Sequence, residues 1–291
     1  MRIGFHLGVH GTDDGRLIRS ALRSRERLAA EGIQVPPPRR YRAVLRDSLN
    51  LLGGAAASPE VQQTLIEQLI DSDKATRLVL SHDSLITVST RVVTEEGLYY
   101  AAPRRMLAMQ RLFADHEVEF HIALCNPATL IPLLIQRAGA GGQEAILGEA
   151  DALALSWTRT VRRILAAGLE MPLTLWCSED TAFTWPEVLR AVTGYQGSAR
   201  LEGDDDLLPV LLTDEGYATL AASLADDPPA TPADRHDRIE AALERHARHE
   251  EVDIEAAVKG WTAATVDRIT ERYEEECAEI AEMPGIVFIR P

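Results

Sequence analysis

Residues 4–18 read GFHLGVHGTDDGRLI. A short apolar run enters a loop that carries Gly8, Gly11 and Gly15, and the loop leads into a helical pattern beginning near Arg16. In an open parallel sheet, ligands bind at the carboxyl ends of the strands, and a phosphate placed after the first strand meets a helix N-terminus, where free N–H groups and the helix dipole favour negative charge. The order strand, loop, helix suits that use. The residues do not, because a Walker-type loop needs glycine followed by lysine and then serine or threonine, and GVHGTDDGR has no such run. Asp13 and Asp14 stand where a phosphate would approach, and each carboxylate within about 4–6 Å would repel it by about a kilocalorie per mole or more.

Outward from this loop, strand-like runs recur at Arg2–Leu7, Arg77–Ser81, Val118–Leu124 and Leu173–Cys177, separated by helical patterns. The alternation predicts a parallel sheet with crossover helices. Leu17, Ala21 and Leu28 share one helical face in a run that Gly32 ends. Further helices are expected over Tyr41–Leu52, Ser58–Ile70, Pro103–Phe113, Pro127–Arg137 and Trp185–Gly194; Ser58 and Pro59 supply an N-cap and a first-turn proline to the second. GAGGQ at 139–143 reads as irregular, and DDPPATPADRHD at 226–237 reads as a linker between helical segments. The expected organisation is an α/β domain over 1–225, a linker over 226–237 and a helical segment over 238–291 that packs on the same domain. Val287, Phe288 and Ile289 are expected to add a short strand or to pack against the sheet.

The 291 residues, 46% of them hydrophobic, are enough for a large core. A formal charge of −15 opposes binding to nucleic acid or to an anionic membrane surface. No apolar run reaches the roughly 18 residues of a membrane span and no leader-like segment opens the chain, so a soluble cytoplasmic protein is expected. Cys125, Cys177 and Cys277 are odd in number, far apart and without CxxC spacing; no site follows from them in sequence. Lys74 and Lys259 are the only lysines, which leaves Arg16 as the cation nearest the opening loop.

Four stretches resemble the bacterial sulfotransferases of the P-loop fold. Phe5–Leu17 with SALRSRERLAAEGIQVP looks like their N-terminus, where His6, Gly8, His10, Thr12, Leu17, Leu28, Gly32 and Pro36 sit at matching places. The family's lysine is replaced by Gly11, its glycine by Asp13, and its two following hydroxyl residues by Asp14 and Gly15. LCNPATLIPLLIQR at 124–137 looks like the strand and helix that carry the arginine and serine for the donor's 3′-phosphate; those positions are Cys125 and Leu133 here. WCSEDTAFTWPEVLRAVTG at 176–194 and YEEECAEIAEMPGIVFIRP at 273–291 extend the likeness over most of the chain. The resemblance implies a three-layer P-loop-type fold with a central parallel sheet and a helical C-terminal part. Its departures imply a degenerate site for phosphoadenosine phosphosulfate and a non-catalytic binding or assembly role, with an unidentified protein or small molecule as partner and no cofactor. The alternative is an active sulfotransferase, or another group transferase of this fold, that holds an atypical donor through backbone N–H groups, Thr12 and Arg16.

The candidate ligand-binding residues are Gly8, His10, Thr12 and Arg16. His6, His10, Asp13 and Asp14 put two imidazoles and two carboxylates within nine residues, a candidate for a divalent metal, although the same aspartates suit helix capping. His82, followed by Asp83 at the end of the second expected strand, is the candidate general base. Glu179 with Asp180 reads more simply as a helix start, and His236, His246 and His249 as a solvated helical face.

Overall fold

The computed structural model describes residues 1–248 and 258–291; His249 lies outside the described residues. Among the described residues eight strands are formed: β1 (Arg2–His6), β2 (Ile33–Gln34), β3 (Arg77–Ser81), β4 (Val93–Thr94), β5 (Gly97–Leu98), β6 (Glu117–Leu124), β7 (Leu173–Cys177) and β8 (Ile286–Ile289). Six of them make one parallel sheet in the order β2-β3-β1-β6-β7-β8, and β4 and β5 pair as a separate antiparallel hairpin. The predicted C-terminal strand is present and extends the sheet beyond β7. A parallel sheet covered on both sides accounts for the nearly continuous apolar reading of its strands.

The helices in chain order are α1 (Arg16–Arg23), α2 (Arg25–Ala30), α3 (Pro38–Leu52), α4 (Pro59–Leu69), α5 (Ala102–Leu112), α6 (Pro127–Ala138), α7 (Gly142–Ile146), α8 (Trp157–Ala166), α9 (Thr181–Thr193), α10 (Leu208–Leu211), α11 (Asp214–Asp226), α12 (Pro232–His246) and α13 (Ala263–Ala281). Because side chains alternate along a strand, β1 sends Ile3 and Phe5 to one face and Arg2, Gly4 and His6 to the other. The Ile3 face joins Leu78, Leu80, Val118, Phe120, Ile122, Leu173 and Leu175 in a core covered by α3, α5, α6, α8 and α13. The opposite face buries Val79, Ala123 and Trp176 against Leu17 and Ala21 of α1 and Val188, Leu189 and Val192 of α9.

Local chemistry sets the helix boundaries. Ser58 caps α4 by accepting from the Val61 N–H, with Pro59 in the first turn as expected. The first helix breaks at Ser24, whose hydroxyl accepts from the Glu202 N–H at 2.8 Å, so Leu17 and Leu28 belong to separate helices. α9 starts at Thr181 rather than Trp185: Pro186 falls inside it, and Asp180 precedes it without a side-chain cap. The expected linker is shorter than 226–237. Thr231 accepts from the Asp234 N–H at 3.1 Å and Pro232 occupies the first turn, so the proline read as a breaker instead opens α12. α11 and α12 then form a helical pair around Leu212, Leu220 and Ile239, packed on Phe183 of α9. No helix among the described residues is long and apolar enough to cross a membrane.

Candidate functional site

After β1 the chain crosses to β2 on one side of the sheet, and after β6 it crosses to β7 on the other. β1 and β6 therefore flank the crevice at the topological switch point, where the carboxyl ends of open sheets bind ligands. Val9–Asp14 line its β1 side and Cys125–Asn126 its β6 side. The Gly8 carbonyl accepts from the Ala123 N–H at 2.6 Å, so the loop runs beside β6 past the end of β1.

The loop's polar groups are turned on the protein itself. The Thr12 hydroxyl donates to the Val9 carbonyl at 2.8 Å. Asp13 accepts from the Leu17 N–H at 2.9 Å and so places a carboxylate on the anion-favouring end of α1. Asp14 has a left-handed φ of 48° and does not cap; its carboxylate meets Arg137 of α6 at 2.7 Å. Arg137 and Arg19, whose guanidinium donates to the Asp14 carbonyl at 3.0 Å, are thus the cations on this loop, while Arg16 has no ion-pair partner among the described residues. Gly11 has φ of 79°, and a side chain there would run into Leu133 of α6, one helical turn before Arg137. Gly8, at φ 84°, lies against Asp83, where an added Cβ would come within 3.0 Å.

His6 and His10 point to different partners. His6 Nδ1 lies 2.9 Å from the Ser81 hydroxyl, and its ring stacks on Trp176. The Tyr99 hydroxyl accepts from the His10 N–H at 3.1 Å and lies 3.0 Å from His10 Nδ1. Both rings are buried, and burial lowers both imidazoles from the ordinary histidine range, partly offset by the negative charges of Asp13 and Asp83 at His6 and of Asp83 at His10. Tyr99 itself holds a left-handed φ of 45° and stacks on both His10 and Trp157. Among the described residues no group of three or more His, Cys, Asp and Glu side chains converges in a metal-holding arrangement. The four residues grouped by sequence separate because each has a nearer partner: Ser81, Tyr99, the Leu17 N–H and Arg137.

His82 follows β3 at the same edge. Its Nδ1 faces Asp83 Oδ1, which only accepts, at 3.1 Å and the Ser84 N–H, which only donates, at 3.5 Å; the shorter contact favours a proton on Nδ1. Burial raises the Asp83 carboxyl, but hydrogen bonds from His82 and Ser84 with the charges of His10 and His82 outweigh it, and the net direction is down.

The β6 side is closed by groups that sequence reasoning did not connect. Glu179 accepts from the Asn126 N–H at 2.8 Å and from the Tyr273 hydroxyl at 2.8 Å, and Asn126 Nδ2 donates to Thr270. Glu179 therefore ties α13 to the ends of β6 and β7, apart from its neighbour Asp180. The only sequence signal for Arg137 was its place four residues after Leu133; Tyr99 and Tyr273 carried none. A cleft of about 700 Å³ opens instead at the amino edge, lined by Arg2, Glu31, Thr76, Arg77, His116 and Gln196 among others.

No protein-family model, curated protein or solved structure matches this chain.

Proposed function

We propose that this chain is a sulfotransferase-like P-loop-type protein whose donor site has closed, and that it works as a non-catalytic binding or assembly component. The observation that carries this reading is the contact between Gly11 and Leu133. These are two positions where the resemblance expects a phosphate-binding lysine and a phosphate-binding serine, and here the Leu133 side chain occupies the space that a side chain on Gly11 would need. Asp13 adds a resident anion at the α1 terminus, and Asp14 engages the nearby arginine. The residues present do not fit a phosphoadenosine phosphosulfate donor.

The test is a thermal-shift titration with phosphoadenosine phosphate. A ligand at 100 times its dissociation constant stabilises a fold by about 2.7 kcal/mol; the expected result is no shift at millimolar concentration. A saturable shift that Arg16→Ala abolishes would overturn the closed-site reading. The His82–Asp83 pair favours a second reading, group transfer in which His82 Nε2 takes a proton from an acceptor hydroxyl. It predicts an activity that His82→Ala removes and that the titration above would not detect.

A further inference from the structure

The outer face of α8 carries Arg159, Arg162, Arg163 and Ala166 at the spacing of one helical stripe, and with Ser156 and Thr158 they line an open groove of about 410 Å³. This concentration of positive charge runs against a chain in which 45 acidic residues face 30 basic ones. Like charges three and four residues apart destabilise a helix unless an anion compensates them. Among the described residues one carboxylate does so. On the α13 side Arg162 meets Glu279, which also accepts from the Thr158 hydroxyl at 3.3 Å. On the side of the β4–β5 hairpin, Arg163 donates to the Glu96 carbonyl at 3.0 Å, the Leu98 carbonyl at 2.8 Å and the Thr160 hydroxyl at 3.2 Å. Its guanidinium lies 5.1 Å from the centre of the Tyr100 ring, which is 51% exposed. These partners are neutral, so they fix the guanidinium and leave its charge uncompensated; the Glu96 carboxylate makes no ion pair among the described residues. Arg159 is exposed, its backbone N–H goes to the Ser156 hydroxyl, and its guanidinium has no partner among the described residues. The N-terminus of α8 is already occupied, since the Trp157 and Thr158 N–H groups donate to Glu276.

The geometry points to a docking groove for an acidic peptide segment of a partner protein, held at Arg159 and Arg163 by carboxylates two residues apart in an extended chain. The inference rests on the reading of this protein as a binding component and names the chemistry of what it binds. Four residues of α-helix rise about 6 Å, and side chains two apart on one side of an extended chain stand about 6.6–6.8 Å apart. Two carboxylates so placed meet the two uncompensated charges one to one, while Arg162 between them is already paired with Glu279. The groove is open, as passage of a peptide requires, and the exposed Tyr100 ring beside Arg163 offers apolar contact to its flank. Arginine clusters of this kind are a recurrent means of recognising acidic motifs. The overall charge of −15 opposes the segment only from afar, because screening over about 8 Å at physiological ionic strength leaves the nearby arginines dominant. A second copy of the chain would bring a further charge of −15, which favours a separate partner as the occupant.

The experiment titrates the full chain into a dye-labelled, capped peptide carrying two glutamates two positions apart in a glycine–serine frame, at physiological ionic strength, and reads fluorescence anisotropy. The expected result is saturable one-to-one binding that is lost when both glutamates are replaced by glutamine and weakened when they are adjacent. Arg159→Glu should weaken it about tenfold or more, the effect of losing a charged contact. Arg39→Glu, on the exposed surface of α3, changes the net charge equally and should leave the affinity unaltered. Absence of saturable binding, equal affinity for the glutamine peptide, or equal weakening by the two variants would overturn the proposal. So would concentration-dependent self-association that Arg159→Glu abolishes, because the occupant would then be a second copy. Arg159 is exposed and makes no side-chain contact that the fold uses, so its substitution keeps the chain folded, which thermal unfolding checks. No residue of the groove belongs to the opening loop, so the titration with phosphoadenosine phosphate decides the closed donor site separately.

Discussion

The two faces of the central sheet are cut from the same strands and differ in kind. On one, Phe5 packs against Phe113 and Phe120 with ring centroids 6.1 and 5.9 Å apart, among residues that carry no charge. On the other, the register row Ser81–His6–His121–Thr174 crosses the sheet under α1 and α9. One step towards the amino edge, the Arg77 guanidinium lies over Gly4, where even a Cβ would come within 3.0 Å of it. It meets Glu119 at 2.6 Å and donates to the Val192 carbonyl in the last turn of α9, a favourable place for a cation. Both ring nitrogens of His121 and Nε2 of His6 are buried without a hydrogen-bond partner. The first face gains stability from dispersion and exclusion of water; the second bears desolvation costs that only paired geometry offsets.

The comparison breaks most readily at its apolar side. Phe120→Ala should cost about 3–5 kcal/mol, transfer and cavity terms together, measured by urea denaturation with an unchanged m-value. A loss below that of a surface substitution would mean that this face is not the main source of stability.

On the polar side, Glu119→Gln should cost about 3 kcal/mol, because Arg77 is left charged and buried. The double variant Arg77→Met, Glu119→Leu should recover most of the loss, since it removes both desolvated charges. If the double variant is as unstable as the single one, the pair contributes more than it costs and the contrast between the faces weakens.

The smallest effect is a pH dependence. Burial lowers the His6 and His121 imidazoles, with Arg77 and His6 lowering His121 further and Asp13 and Asp83 partly restoring His6. A folded value below the unfolded one means that stability is full above the unfolded value of about 6.5 and is lost as pH falls towards the folded values. Each histidine should therefore add a slope of up to about 1.4 kcal/mol per pH unit below that point. His121→Leu should flatten the slope of denaturation midpoint against pH, with little effect above neutrality; an unchanged slope would show that His121 is protonated in the fold.

How far the sequence could be read follows from the range of the forces involved. Arg77–Ser81 and Leu173–Cys177 were legible because burial on a sheet imposes a local pattern, and Ser58–Pro59 because a cap acts within three residues. β2 was not, since two residues at a sheet edge leave no period to detect. Pro232 was legible as a boundary but ambiguous in sense, because proline ends one helix by the same chemistry that starts another.

The candidate loop was equally divided. The expectation that both aspartates cap the following helix holds only in part: Asp13 accepts from the Leu17 N–H, while Gly15 takes the N-cap position and Asp14 turns to Arg137. That Leu133 would lie on Gly11, Arg137 on Asp14 and Tyr99 on His10 depended on which strands became neighbours. Spacing and side-chain type determined the elements and the faces they bury, since those preferences act between residues a turn or two apart. The order β2-β3-β1-β6-β7-β8 decided the partners, since it brings together residues about a hundred positions apart whose attraction leaves no trace in the local pattern.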